Sequence, residues 1–430
     1  MEAASKWTTT PPMIPSLLRP FPFSNRYPTT RSPSSSSSSS SYFSSGSHRQ
    51  NRPLLASASC ATPPLPSSAS TTSFQGMIFD VGPSPSWDSF EVGSPVVKRY
   101  LGDDEARWLM WYHGRGDNVD GDSIGVAVSE DGIRWKRATG AVASGDDVGQ
   151  VMRPSSDWWA FDTANVRPSD VLIMSSEKIT TPGAVYWLYY TGFSQEKLEI
   201  AGEGAAYHSL PRFVSLPGLA ISQDGRYWAR IEGEHHSGAL FEIGSAGEWD
   251  SSFVESPKLV YHGREDLRMY YHSFDKVNRC YAIGMARSRD GIRWVKLGQV
   301  LGCGPPGAFD EAGVRNAHVV RNQINGSYLM AYEGLSVDGV SHIGLAVSLD
   351  GLKDWRRCDG KPILEPSTDE DAWDNKGVGA PCLLQITDGR KEEWRLYYMG
   401  IGKGRETRIG MAVSDGSEHG EFKKWVGAQL

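Results

Sequence analysis

One pattern of short apolar runs recurs five times after about residue 85, and a chain that repeats a strand pattern at this spacing has few folds open to it. The clearest copy runs from Trp249 to Trp294. It opens on Trp249-Asp250 and continues through Phe253-Val254-Glu255-Ser256-Pro257-Lys258-Leu259-Val260 and Leu267-Arg268-Met269-Tyr270-Tyr271. It closes on Ile283-Gly284-Met285-Ala286 and the turn Ser288-Arg289-Asp290-Gly291. Each run is strand-length, rich in β-branched and aromatic residues and bounded by Gly, Asp or charge, which predicts three strands and a hairpin into a fourth. Asp290-Gly291 suits a two-residue type I′ turn, because Gly tolerates positive φ.

The other copies place inner strands at Trp87-Asp88 to Val97, Phe161-Asp162 to Ser169, Phe309-Asp310 to Val320 and Trp373-Asp374 to Leu383. Second strands follow at Trp108 to Tyr112, Tyr186 to Tyr190, Tyr328 to Tyr332 and Trp394 to Tyr398. Third strands end at Ser129, Ser222, Ser348 and Ser414, each just before an Asp-Gly. The prediction is an all-β fold: one five-bladed β-propeller over residues 76–430, with four antiparallel strands per blade. The blades fall at about 85–140, 158–232, 248–300, 308–360 and 372–430. Ring closure needs no exchanged strand, with Met77-Ile78-Phe79 left to pair at the rim.

Residues 1–75 have another character. They hold the serine run Ser34 to Ser41, six basic residues up to Arg52 and a single acid, Glu2. A basic, Ser-rich, acid-poor N-terminus is the signature of a transit peptide, and its length and Pro/Ser bias predict the chloroplast stroma; a disordered tail without an address is the alternative. No run is long and apolar enough for a membrane span. The net charge is −7, so beyond the N-terminal segment the chain is more acidic still, which argues against nucleic acid as a partner. Cys280, Cys303, Cys358 and Cys382 lack CxxC spacing, so no metal site and no disulfide framework is expected, and no cofactor.

Repetition separates structure from chemistry, because packing happens in every blade and catalysis once. Asp88, Asp162, Asp250, Asp310 and Asp374 recur in all five and are read as capping turns. Aligned on the inner-strand Val (Val92, Val166, Val254, Val314, Val378), the flanking positions differ from blade to blade. Strand alternation puts both flanks on one side, so Glu91, Asn165, Arg167, Glu255 and Arg315 are expected to converge in the central funnel. Charges there are costly to bury unless paired, and an Arg-Glu network that merely closes the channel stays open as an explanation.

With these residues the chain resembles the five-bladed glycoside hydrolases of the arabinanase, β-xylosidase, invertase and levansucrase type, families 43, 32 and 68. The resemblance implies an Asp on blade one, an Asp on blade two and a general-acid Glu on blade three within Glu-x-Pro. Glu255-Ser256-Pro257 matches the third element, whereas Ser94-Pro95 and Arg167-Pro168 stand where Asp-Pro is implied. The catalytic candidates are therefore Glu255, with Glu91 as a displaced second carboxylate. Arg167 near Glu255 favours the ionised carboxylate, the wrong direction for a general acid.

Arg167 and Arg315, with Asn165, Asn316 and His318, instead suggest affinity for an anionic group, a sugar phosphate or a phosphate co-substrate as in the related mannoside phosphorylases. His113, Tyr190, His272 and Glu333 end second strands and are further binding candidates. Long polar connections at His113 to Ser123, Ser194 to Leu216, Glu232 to Glu248 and Gly400 to Thr407 mark the face that binds. Three readings remain: a plastid glycosidase or glycoside phosphorylase with altered catalytic residues, a silent propeller that binds a carbohydrate or anionic small molecule, and a scaffold for a plastid protein partner.

Overall fold

A computed structural model of the full chain describes residues 74–101, 106–117, 121–138, 149–174, 185–263, 265–388, 391–414 and 421–427. The expected transit segment lies outside the described residues, as does the fifth Asp-Gly pair, Asp415-Gly416. Every element below belongs to one compact unit.

Strand β1 (Met77–Phe79) precedes five consecutive groups of antiparallel strands. The first is β2 (Glu91–Leu101), β3 (Ala106–Arg115), β4 (Ser123–Ser129) and β5 (Lys136–Arg137), with β6 (Gln150–Met152) also on β4. The second is β7 (Asn165–Met174), β8 (Val185–Lys197), β9 (Phe213–Ser222) and β10 (Ala229–Ile231), with the one-turn helix α1 (Ala205–His208) between β8 and β9. The third is β11 (Glu255–Gly263), β12 (Asp266–Asp275), β13 (Cys280–Ser288) and β14 (Val295–Leu301). The fourth is β15 (Gly313–Arg321), β16 (Tyr328–Leu335), β17 (Ser341–Ser348) and β18 (Arg356–Arg357). The last is β19 (Gly377–Asp388), β20 (Lys391–Ile401), β21 (Thr407–Ser414) and β22 (Lys423–Lys424), and β1 adds to its β21. The architecture is nearly all-β and propeller-like.

Apolar cores form between groups. Trp111 and Ile124 of the first pack with Val166 and Leu188 of the second, and so on along the sequence. Trp87, Val97 and Trp108 of the first group share a core with Cys382, Tyr397 and Met411 of the last. The five aligned valines are all fully buried, as their use as alignment anchors requires.

The recurring aspartates of the expected capping turns are buried and tie elements together. Oδ2 of Asp88, Asp162, Asp250, Asp310 and Asp374 accepts from the hydroxyls of Tyr112, Tyr190, Tyr271, Tyr332 and Tyr398 at 2.9–3.1 Å. The same oxygens face Arg137, Arg230, Lys296, Arg357 and Lys424 at 2.6–2.8 Å. The aromatic residue before each Asp stacks on the same Tyr, with centroids 5.4–6.2 Å apart. Each tie thus joins the entry turn, the second strand and the outermost strand of one group.

The Asp-Gly connections are longer than the type I′ expectation: β13 ends at Ser288 and β14 begins at Val295. Side chains build this turn. Ser288 Oγ accepts from the amides of Asp290 and Gly291 at 3.2 and 2.8 Å, and Asp290 Oδ1 accepts from those of Ile292 and Arg293 at 2.9 Å. Gly291 has φ 80°, and its carbonyl accepts from the Tyr189 hydroxyl of the preceding group at 2.9 Å. Gly225 accepts likewise from Trp111, Gly351 from Tyr270 and Gly132 from Tyr397 of the last group.

Candidate functional site

Every inner strand breaks register at the same place, between Gly93 and Val96, Pro168 and Asp170, Glu255 and Lys258, Arg315 and His318, and Gly379 and Cys382. At four of the five bulges a non-glycine residue takes positive φ: Ser94 at 47°, Ser256 at 55°, Asn316 at 50° and Ala380 at 45°. The fifth is Pro168, whose ring fixes φ near −65°. A bulge re-aims side chains, and left-handed non-glycine backbone persists only where its surroundings hold it.

Those surroundings are the ends of the neighbouring second strands. The Ser256 amide donates to Thr191 Oγ1 at 2.9 Å, Asn316 to His272 Nδ1 at 3.3 Å and Ala380 to Glu333 Oε2 at 3.0 Å. Pro168 has no amide hydrogen to give, and among the described residues the corresponding His113 Nδ1 is without a partner.

Glu255 stands at the centre. Ser215 Oγ donates to its Oε1 at 3.2 Å, and His272 Nε2 lies 3.5 Å from Oε2. Because the Asn316 amide donates to His272 Nδ1, the ring presents its proton on Nε2, toward Glu255. Burial pushes the Glu255 carboxyl upward, but His272, the Arg167 charge and Ser215 outweigh it, and the group is held below its ordinary range.

The other charges come in pairs. Arg167 Nε donates to Asp122 Oδ2 at 2.6 Å, and Arg167 Nη2 lies 4.0 Å from Glu91 Oε1. Arg115 donates to Glu91 Oε2 and lies 3.8 Å from Asp122. Arg315 donates through Nε and Nη2 to Glu333 Oε1 at 2.8 and 2.7 Å, and Glu333 also accepts from Asn316 Nδ2 and Ser341 Oγ at 2.8 and 2.9 Å. Burial opposes the charge on Glu91, yet His113, Arg167 and Arg115 bring its carboxyl down to about 2.

These groups surround a cavity of about 1000 Å³, whose wall includes Arg115, Asp122, Asn165, Arg167, Thr191, Arg212, Glu255, His272, Tyr281, Arg315, Asn316 and Glu333. Polar groups converging on an open cavity at strand ends mark it as the candidate ligand site.

No protein-family model matches the sequence, and no curated protein matches it. Solved structures do. The BT0996 RGII complex superposes with a TM-score of 0.56 at 16% identity over 82% of this protein and 95% of that one. An N-acetylgalactosamine deacetylase from F. plautii, in complex with blood group B trisaccharide, gives 0.51 at 16% identity over 79% and 94%. A structure from the GH130 family of mannoside phosphorylases, with glycoside hydrolases that target β-1,2 mannosidic linkages in Candida mannan, gives 0.51 at 15% identity over 78% and 88%. The chain shares its fold with these solved structures, among them ones described as glycoside hydrolases.

On this fold the residues singled out in the sequence divide in two. Asn165, Arg167, Glu255, His272, Arg315, Asn316 and Glu333 meet at the cavity. Glu91 and His113 pair with each other at 3.3 Å behind its wall. Tyr190 belongs to the Asp162 tie and is fully buried, and the next residue, Thr191, takes the cavity position instead. His318 lies past the bulge, where its Nδ1 accepts from the Leu383 amide at 3.1 Å and burial together with Lys258 lowers it to about 3.

Arg115, Asp122, Thr191, Arg212, Ser215 and Tyr281 escaped the sequence reading. Thr191 was reachable by counting one residue past the repeated Tyr, the offset that also gives His113, His272 and Glu333. Asp122 precedes β4 and has no repeat partner to signal it.

Glu91, His113 and Asp122 bring ligand atoms within 4.8 Å of one another. Arg115 and Arg167 already bind both carboxylates, so two guanidinium charges balance two acids and a dication would add unmatched positive charge. This set fits an ion-pair network, not a metal.

Proposed function

We propose that the five strand groups are the blades of one five-bladed propeller and that the protein acts on carbohydrate in the cavity at Glu255. The observation that carries this reading is the Glu255 environment. Of the partly or fully buried carboxylates on the cavity wall, Asp122 and Glu333 are neutralised by arginines, whereas Glu255 has no guanidinium or ammonium in ion-pair contact among the described residues. A carboxylate aimed into a polar cavity and held ionised by its hydrogen-bond partners suits a base or nucleophile.

The general-acid role implied for Glu-x-Pro is not supported at this position, because the surrounding donors all favour the charged form. Glu91 cannot supply the proton either, being ionised by its own partners and set back from the cavity wall. Glycosides whose leaving groups need little protonation are therefore the expected substrates, and Glu255 would take a proton from the attacking water or attack the anomeric carbon itself. Arg167 and Arg315 orient Asp122 and Glu333 around this centre and, being paired, contribute shape and hydrogen-bond donors more than free charge. The site of action in this proposal is the plastid stroma, on the composition of the N-terminal segment. The test compares aryl with alkyl glycosides: aryl glycosides turned over far faster support an ionised Glu255, and equal rates would require a proton donor elsewhere in the cavity.

A further inference from the structure

Four guanidinium groups line the cavity, and each sits over an aromatic ring of the same wall. Arg115 lies 5.3 Å from the Phe90 centroid, Arg167 5.5 Å from Phe193, Arg212 5.1 Å from Phe213 and Arg315 5.1 Å from Tyr281. Stacking fixes the plane of a guanidinium and leaves its N–H groups directed outward along the edge. Three of the four spend those edges on carboxylates of the protein: Arg115 on Glu91, Arg167 on Asp122 and Arg315 on Glu333. A ligand anion at any of them would have to displace a buried partner.

Arg212 differs. Among the described residues no carboxylate lies within ion-pair distance of it, and it is exposed to the cavity. Its segment is held in place. The Leu198 amide donates to the Arg212 carbonyl at 3.1 Å, Pro211 precedes it, and Ser209 donates to the Tyr281 hydroxyl at 3.2 Å while accepting from Arg315 at 3.5 Å through its carbonyl. A cation stacked, anchored and unneutralised on the wall of a cavity is preorganised for an anion.

We propose that Arg212 is the specificity-determining residue of the cavity and that the carbohydrate it selects carries an anionic substituent, a carboxylate or a phosphate. This inference rests on the carbohydrate reading of the Glu255 cavity. The negative charge of Glu255 repels an anion from the reacting centre, so the neutral ring of the sugar takes that place and the substituent is directed to Arg212.

The experiment is ligand-observed NMR titration of the full-length protein with neutral methyl hexosides, the matching methyl hexuronides, hexose phosphates and inorganic phosphate, at low and moderate salt. The wild type is expected to bind at least one anionic sugar ten-fold or more tightly than its neutral parent, with the preference shrinking as salt rises. R212A should bring that ratio near one, and R212K should retain part of it. Preference for hexuronides names the carboxylate, and preference for hexose phosphates names the phosphate. Neutral sugars bound without any anionic preference, or a preference that survives in a folded R212A, overturns the assignment while the carbohydrate reading stands. No binding of any sugar would overturn both.

Discussion

Gly379 is glycine because Glu333 occupies the space a side chain would need. A Cβ at Gly379 would overlap Glu333 Oε2 and fall 2.5 Å from its Cδ and 3.0 Å from Oε1. Glu333 cannot swing aside freely, since Arg315, Asn316, Ser341 and the Ala380 amide all donate to its carboxylate. Gly379→Ala should therefore cost about 1–3 kcal/mol as overpacking and approach about 3–5 kcal/mol if the carboxylate leaves Arg315, which is itself largely buried. Urea unfolding of the full-length protein measures this. The decisive comparison is the same change in a Glu333→Ala background, where the clash is gone: Gly379→Ala should then cost under about 0.5 kcal/mol, a coupling well outside ordinary additivity. Equal costs in the two backgrounds would show that Glu333 does not set the residue at position 379.

Tyr332→Phe should lower stability by about 1–2 kcal/mol, because it removes a donor from fully buried Asp310, and Asp310→Ala by about 3–5 kcal/mol, because it also strands Arg357; thermal unfolding separates the two. Glu91 has a folded pKa of about 2 against an ordinary 4.5, so its contribution is present above about pH 4.5 and is lost as the pH falls through about 2. Glu91→Gln should flatten the acid limb of the stability curve over that window. Residues 1–79 fused to a fluorescent reporter should enter plastids, and a diffuse cytosolic or secreted signal would remove the proposed location.

The fold was legible wherever a signal recurred. Paired aromatic runs, valines and Asp-Gly turns located the strands of all five groups because packing demands the same residues each time. What the repeat could not show was partnership across groups. The five aspartates read only as capping turns because their Tyr and cation partners lie 21 to 68 residues away and nothing in the local pattern links them. At the site, Glu255, Arg167 and Arg315 stood out by departing from the repeat, and the structure gathers them in one cavity. The inward bulge decided the rest: it breaks simple alternation, so His318, one bulge further on, turns into the core and not toward the ligand side. Asp122 and Arg212 sit in connections, where no periodicity constrains the reading.

The central claim, that Glu255 is the reacting carboxylate of a carbohydrate site, is tested most directly by turnover of a panel of aryl glycosides by the full-length protein and by Glu255→Gln. The account predicts that the wild type releases the aryl group from at least one glycoside, and that Glu255→Gln loses the rate by about 10³-fold or more with an unchanged melting temperature, as removal of a base or nucleophile requires. Undiminished turnover in Glu255→Gln would contradict it, as would a wild type that neither turns over nor binds any glycoside in the panel.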